Sequence, residues 1–154
     1  MITVEKIGGT SMSSFDEVLR NIMLRDPKHV LGRVYVVSAY AGVTNELLEH
    51  KKTGVPGIYA KFASGDNYGA ALEALLGKLV AINQGMAPLG LDLSVADGFL
   101  QKRVRELKGY LDSMRHVLGT GYLRRENVLL AAREMLAAIG EAHSAFNSVE
   151  ILKA

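Results

Sequence analysis

The chain has 154 residues, of which 49% are apolar and 22% charged. That is one domain's worth of sequence or a piece of a larger one, apolar enough to build a core and to exclude general disorder. With 18 Lys and Arg against 16 Asp and Glu the net charge is +2, too small an excess to predict a nucleic-acid footprint. The chain has no cysteine, which excludes a disulfide scaffold, a thiolate metal site and a cysteine nucleophile, and which fits the cytoplasm as its expected compartment. No segment reaches the about 18 consecutive apolar residues of a membrane helix. The start, Met-Ile-Thr-Val-Glu-Lys, has no basic region followed by an apolar core, so neither a membrane nor a secretory signal is expected.

Residues 2–7 are β-rich and run into Gly8-Gly9, a strand followed by a turn. Ser14 and Glu17 have the spacing of a capping box for a helix over about 14–25, with Phe15, Val18, Leu19 and Ile22 on one side and Asp26-Pro27 as its stop. Residues 33–39 form a second, β-branched strand of the kind buried in parallel sheets. Ala41-Gly42 marks a turn, and Thr44 to about Lys52 reads as a short helix. Residues 53–57 form a loop, and 67–84 carry Leu72, Leu75, Leu76 and Leu79 at helical spacing before Pro88-Leu89-Gly90 breaks the pattern. Leu100, Val104, Leu107, Leu111, Met114 and Leu118 make one continuous helical stripe, closed by Gly119-Thr120-Gly121. Two further helices are predicted over 123–138 and 140–153. The chain thus opens like a doubly wound α/β protein and then runs out of strands.

Three stretches could carry chemistry. In Lys6-Ile7-Gly8-Gly9-Thr10-Ser11 a strand ends in two glycines, two hydroxyls and a helix start. Glycines let backbone N–H groups approach a phosphate, and Lys6 adds a full positive charge. The Walker and dinucleotide fingerprints are both absent, and a plain strand-to-helix turn explains the spacing equally well. Ser38-Ala39-Tyr40-Ala41-Gly42-Val43-Thr44-Asn45 follows the second strand at the sheet edge where α/β proteins hold ligands. By itself it reads as an ordinary loop with Thr44 as the next helix cap. Gly140-Glu141-Ala142-His143-Ser144-Ala145 is unremarkable alone, Glu141 resembling any solvated helix carboxylate. His29, His50, His116 and His143 are scattered, and no metal site is expected.

Together and in this order, the stretches resemble aspartokinase, of the amino-acid kinase family. That family's pattern is a strand ending Lys-Phe-Gly-Gly-Thr-Ser, a second ending Val-Val-Ser-Ala with Gly-x-Thr beyond it, and a later helical Gly-Glu followed by Ser-Ala. Here Ile7 stands for the Phe, and Val36-Val37-Ser38-Ala39, Gly42-Val43-Thr44, Gly140-Glu141 and Ser144-Ala145 supply the rest. The Thr-Ser pair favours aspartokinase over other amino-acid kinases. Leu47 to Gly54 with Pro56-Gly57 further resembles the aspartokinases associated with ectoine synthesis.

The resemblance implies a fold, a reaction and roles. The fold is the N-terminal portion of the amino-acid kinase α/β/α sandwich. Residues 1–52 would form the βαβ unit with the phosphate and substrate loops, 53–139 a helical excursion, and 140–154 the helix with Gly-Glu. The nucleotide-binding half and the ACT domains of the family have no counterpart in these residues, so the chain is expected to be an inactive fragment whose uncovered helix faces favour self-association. The reaction is phosphoryl transfer from ATP to the side-chain carboxylate of L-aspartate. In it Lys6 is catalytic, Gly8, Gly9, Thr10 and Ser11 bind phosphate, and Ser38, Thr44 and Glu141 bind aspartate. Mg²⁺ would arrive with ATP in a full-length enzyme, and this chain alone would hold no cofactor. A homo-oligomer is expected, with no nucleic-acid or membrane partner. The alternative is a helix-rich interaction module that keeps the motifs without catalysis.

Overall fold

Two parallel strands, β1 (Thr3–Ile7) and β2 (Arg33–Val37), pair in register from Thr3 opposite Arg33 to Ile7 opposite Val37. They belong to a computed structural model that describes residues 2–26 and 32–154. Pro27, the expected helix stop, and His29 lie outside the described residues. Between the strands come α1 (Gly9–Met12) and α2 (Phe15–Val18), the latter continued by a π-helical turn over Leu19–Met23. Ser14 stands at the start of α2 but makes no side-chain cap, so the expected capping box does not form. Ser14 instead uses its backbone, its N–H donating to Ser11 and its C=O accepting from Val18.

Period-two patterning sends Glu5, Ile7, Arg33, Tyr35 and Val37 to one sheet face. There Arg33 forms two hydrogen bonds with the Glu5 carboxylate, at 2.8 and 2.9 Å. Its guanidinium also donates to the Ile22 carbonyl at 2.8 Å, and the Tyr35 hydroxyl donates to that of Met23 at 3.1 Å. These bonds occupy carbonyls at the end of the π turn and fasten it to the sheet.

After β2 the chain is helical: α3 (Val43–Leu47), α4 (Ile58–Ser64), α5 (Gly69–Met86), α6 (Leu93–Thr120) and α7 (Arg125–Lys153). A 3₁₀ turn over Ala87–Leu89 and Gly90, at φ 95°, end α5 where the Pro-Leu-Gly break is read in the sequence. The α6 stripe is buried at Leu100, Val104, Leu107 and Leu111, and Asp92 caps the helix by accepting from the Val95 N–H.

Four expectations change. Helices α1 and α4 are not among the expected elements: each is short, and α4 starts at Ile58, just after a tight corner at Gly57. Helix α3 ends at Leu47 rather than near Lys52, and Glu49 then bridges to Pro56. The two final helices are one, because Gly140 sits inside α7, where a single glycine costs only about 1 kcal/mol and does not break a long, packed helix. Finally, the stripes of α5, α6 and α7 are covered, since they join one continuous core with Ile7, Met12, Phe15 and Leu47. The apolar side chains left exposed include Ile2, Val4, Val34 and Val36, on the opposite face of the sheet. The result is a helix-rich α/β arrangement with a small two-stranded parallel sheet. No helix among the described residues is long and apolar enough to cross a membrane.

Candidate functional site

The three motif stretches meet at the C-terminal end of the strands, and the contact is set by glycines. A Cβ on Gly9 would stand 2.9 Å from the Ala39 carbonyl oxygen, and a Cβ on Gly140 would stand 2.6 Å from the Ala39 Cβ. Ala39 is therefore wedged between the first and third motifs, and each approach is closer than any side chain allows. Neither glycine has a positive φ, so the requirement is space and not backbone conformation. Gly42 differs: its φ of 85° at the start of α3 is a left-handed position, and it, not Thr44, is the cap residue.

The meeting point is reinforced by backbone bonds. The Ser38 N–H donates to the Ile7 carbonyl at 3.1 Å. The Ser13 hydroxyl donates to the Gly9 carbonyl at 3.3 Å and accepts from the Ala41 N–H at 3.0 Å, stitching the first loop to the second. Ser13 was not singled out in the sequence.

Lys6 is exposed, and its ammonium folds back over Gly8, 3.6 Å from where a Gly8 Cβ would stand. A cleft of about 490 Å³ opens beside it, lined also by Asn21, Arg25 and Arg33. Thr10 and Ser11 are exposed in α1, whose first-turn N–H groups have no acceptor within the helix. Ser38 and Thr44 are half-buried, and Glu141 is exposed one residue beyond the Gly140 contact. The structure thus brings Lys6, Gly8, Gly9 and Ser38 into one neighbourhood. Thr10, Ser11, Thr44 and Glu141 lie on the segments that flank it. Among the described residues, none of the side chains of Thr10, Ser11, Ser38, Thr44 or Glu141 hydrogen-bonds another of them. Chemically, the edge offers a cation and backbone donors for an anion on one side, and hydroxyls and a carboxylate on the other.

Behind the second loop lies a cluster that sequence reading missed. Asn83, His143 and Asn147 are fully buried. Asn83 donates to the Asp97 carboxylate at 2.7 Å, which turns its own oxygen toward α7. That oxygen accepts from His143 Nε2 at 2.7 Å and from Asn147 at 2.8 Å. The pairing puts the imidazole proton on Nε2. Burial pushes the His143 imidazole down from 6.5 to about 4, with Asp97 opposing weakly. The Tyr40 and His143 rings form a T-shaped pair, 5.2 Å between centroids, and burial raises the Tyr40 phenol well above the ordinary value. Among the described residues, no group of three or more His, Cys, Asp or Glu side chains is placed to hold a metal ion. The available signal was the polar stripe His143-Ser144, Asn147-Ser148 on an otherwise apolar helix face.

Gly140→Ala is expected to destabilise the chain by about 1–3 kcal/mol, because a methyl would be forced against Ala39. Adding Ala39→Gly should recover part of that loss. Chemical denaturation of the two single variants and the double variant measures it; additive losses would show that Gly140 and Ala39 do not press on one another.

No family model matches the chain, and no solved structure matches it. Among curated proteins it is similar to the aspartate kinase Ask_Ect of Stutzerimonas stutzeri (strain A1501), 46% identical over 158 residues. The match covers 99% of this chain and 33% of that protein, so the chain spans about a third of the relative's length. The resemblance drawn from the three motifs, ectoine-associated subfamily included, is borne out. The interaction-module alternative is not favoured.

Proposed function

We propose that this chain, an aspartate kinase homologue along 99% of its length, carries the phosphoryl-transfer edge of an aspartate kinase. The reaction is ATP plus L-aspartate giving ADP and 4-phospho-L-aspartate, the entry to aspartate-family amino acids or ectoine. The observation that carries the reading is the wedging of Ala39 between Gly9 and Gly140, which gathers all three motifs at one strand end.

A carboxylate with an ordinary pKa near 3.9 is ionised at neutral pH, so the nucleophile needs no general base. The demand is to align two anions that repel each other and to neutralise the moving phosphoryl group. Lys6 supplies the neutralising charge. The backbone N–H groups of Gly8 and Gly9, with the hydroxyls of Thr10 and Ser11, orient phosphate oxygens. Glu141 pairs with the ammonium of aspartate, while Ser38 and Thr44 hydrogen-bond the substrate. Mg²⁺ enters with the nucleotide.

In this reading the two strands open the amino-acid kinase α/β/α sandwich. Residues 1–52, 53–139 and 140–154 are its βαβ unit, helical excursion and Gly-Glu helix. The nucleotide half and ACT domains of such an enzyme would lie outside the matched third of the relative. The exposed Ile2, Val4, Val34 and Val36 support self-association of the isolated chain.

The test is a chimera in which this chain replaces the matching third of the Stutzerimonas enzyme, assayed for ATP-dependent acyl phosphate trapped by hydroxylamine. Aspartate-dependent turnover is expected. Glu141→Ala should raise the KM for aspartate at least about tenfold, the scale of a lost charged hydrogen bond. A folded chimera without turnover, or a Glu141→Ala variant with unchanged aspartate dependence, would contradict the assignment.

A further inference from the structure

We infer that Asn147 and His143 are positioning residues for the 38–44 loop, acting on it through Tyr40; the inference rests on reading that loop as part of the aspartate site. The loop is held at successive residues. Ser38 is bonded to Ile7, Ala39 is packed against Gly140, and Ala41 is bonded to Ser13. Tyr40 adds a polar hold, its hydroxyl bonding into the helical core. Its hydroxyl donates to the Met86 sulfur at 3.3 Å and accepts from Asn147 at 3.4 Å.

Beneath Tyr40 the order of bonds runs in one direction. Asp97 on α6 accepts only, so it fixes which way the Asn83 amide faces. Asn83 then orients both His143 and Asn147, which stand one helical turn apart on α7. Asn147 presents an amide N–H to Tyr40, and the His143 ring meets the Tyr40 ring at 72°. Three helices thereby determine where one loop residue sits.

The cluster is costly if its role were filling alone. His143 Nδ1 and Asn147 Oδ1 are buried without a hydrogen-bond partner among the described residues. An apolar core of the same volume would avoid that penalty. What the polar groups add is direction, since an apolar contact would let the Tyr40 ring slide. The backbone of the ring's own residue closes the argument: the Tyr40 carbonyl accepts from the Val43 N–H at 3.2 Å, at the first residue of α3. A shift of Tyr40 is therefore passed to Val43, the residue before Thr44.

The test uses amide hydrogen exchange of the 154-residue chain, together with L-aspartate titration. Asn147→Ser removes the amide donors, whose hydrogen bond to the loop goes to the Tyr40 hydroxyl. It should speed exchange at Ala41, Val43 and Glu46 by about tenfold or more, with α6 amides unchanged. Tyr40→Phe, which keeps the ring but removes the hydroxyl that takes the Asn147 bond, should speed exchange at the same amides to a comparable degree, with α6 again unchanged. His143→Gln, which retains a donor toward Asn83, should stay closer to wild type than His143→Leu. Exchange that rises equally in α6 and in the loop, or that stays within twofold of wild type at all three amides, would overturn the inference. The aspartate dissociation constant should rise about fivefold or more in Asn147→Ser. If the wild-type chain binds no aspartate, the substrate reading fails, while the exchange pattern still decides whether the cluster positions the loop.

Discussion

Lys6→Ala, placed in the chimeric enzyme described above, is expected to lower turnover by about 100- to 1,000-fold, the usual cost of removing one preorganised charge stabiliser. Lys6 is exposed near the end of β1, so its side chain has no packing role, and no ion pair engages it among the described residues. Its ammonium folds over Gly8, the residue before the first turn of α1. An anion seated there would meet a full charge and backbone donors together, and only the charge disappears in the variant. The melting temperature should therefore hold within a few degrees, and turnover should fall more than the aspartate KM rises. Turnover close to that of the parent would remove Lys6 from the mechanism.

The second large effect concerns acid. His143 titrates near 4 in the folded chain against an ordinary 6.5, because burial disfavours the imidazolium. The depressed value makes the neutral ring a stabilising feature at pH above 6.5. That contribution shrinks as pH falls through the interval and is gone below about 4. Across the whole interval it amounts to about 3 kcal/mol, a large share of the stability of a small domain. The urea midpoint should fall between pH 7 and 4.5 for the parent, and fall less for His143→Gln, which cannot take up the proton. Parallel pH profiles would show that His143 is not the group responsible.

Much of the fold was legible because it depends on local pattern. The β-branched run before Ser38 and the 4-3-4 stripe around Leu107 both form elements of the expected kind, although the strand ends at Val37 rather than at residue 39. Short elements were not legible. Helix α4 depends on a tight corner in which a Gly57 Cβ would stand 2.5 Å from the Leu48 carbonyl oxygen. No periodicity records that contact. Gly140 was misread for a related reason: a glycine that serves close packing and one that ends a helix look alike in sequence, and only the neighbouring Ala39 tells them apart. The motif segments could be read from residue types and order. Their meeting at Ala39 could not, nor could the Asn83–His143–Asn147 cluster, in which Asn83 on α5 stands 60 or more residues from its two partners on α7. The exposed valines of the sheet illustrate the same limit of pattern: β-branched residues mark a strand, but not which of its faces is covered.

The central claim is that the three motif segments form one aspartate-binding edge. It is tested most directly by titrating the isotopically labelled chain with L-aspartate and following its backbone amides. The account predicts saturable shifts confined to residues 8–11, 38–44 and 140–145, weakened by Glu141→Ala. Shifts scattered over the surface, or none at millimolar aspartate, would contradict it.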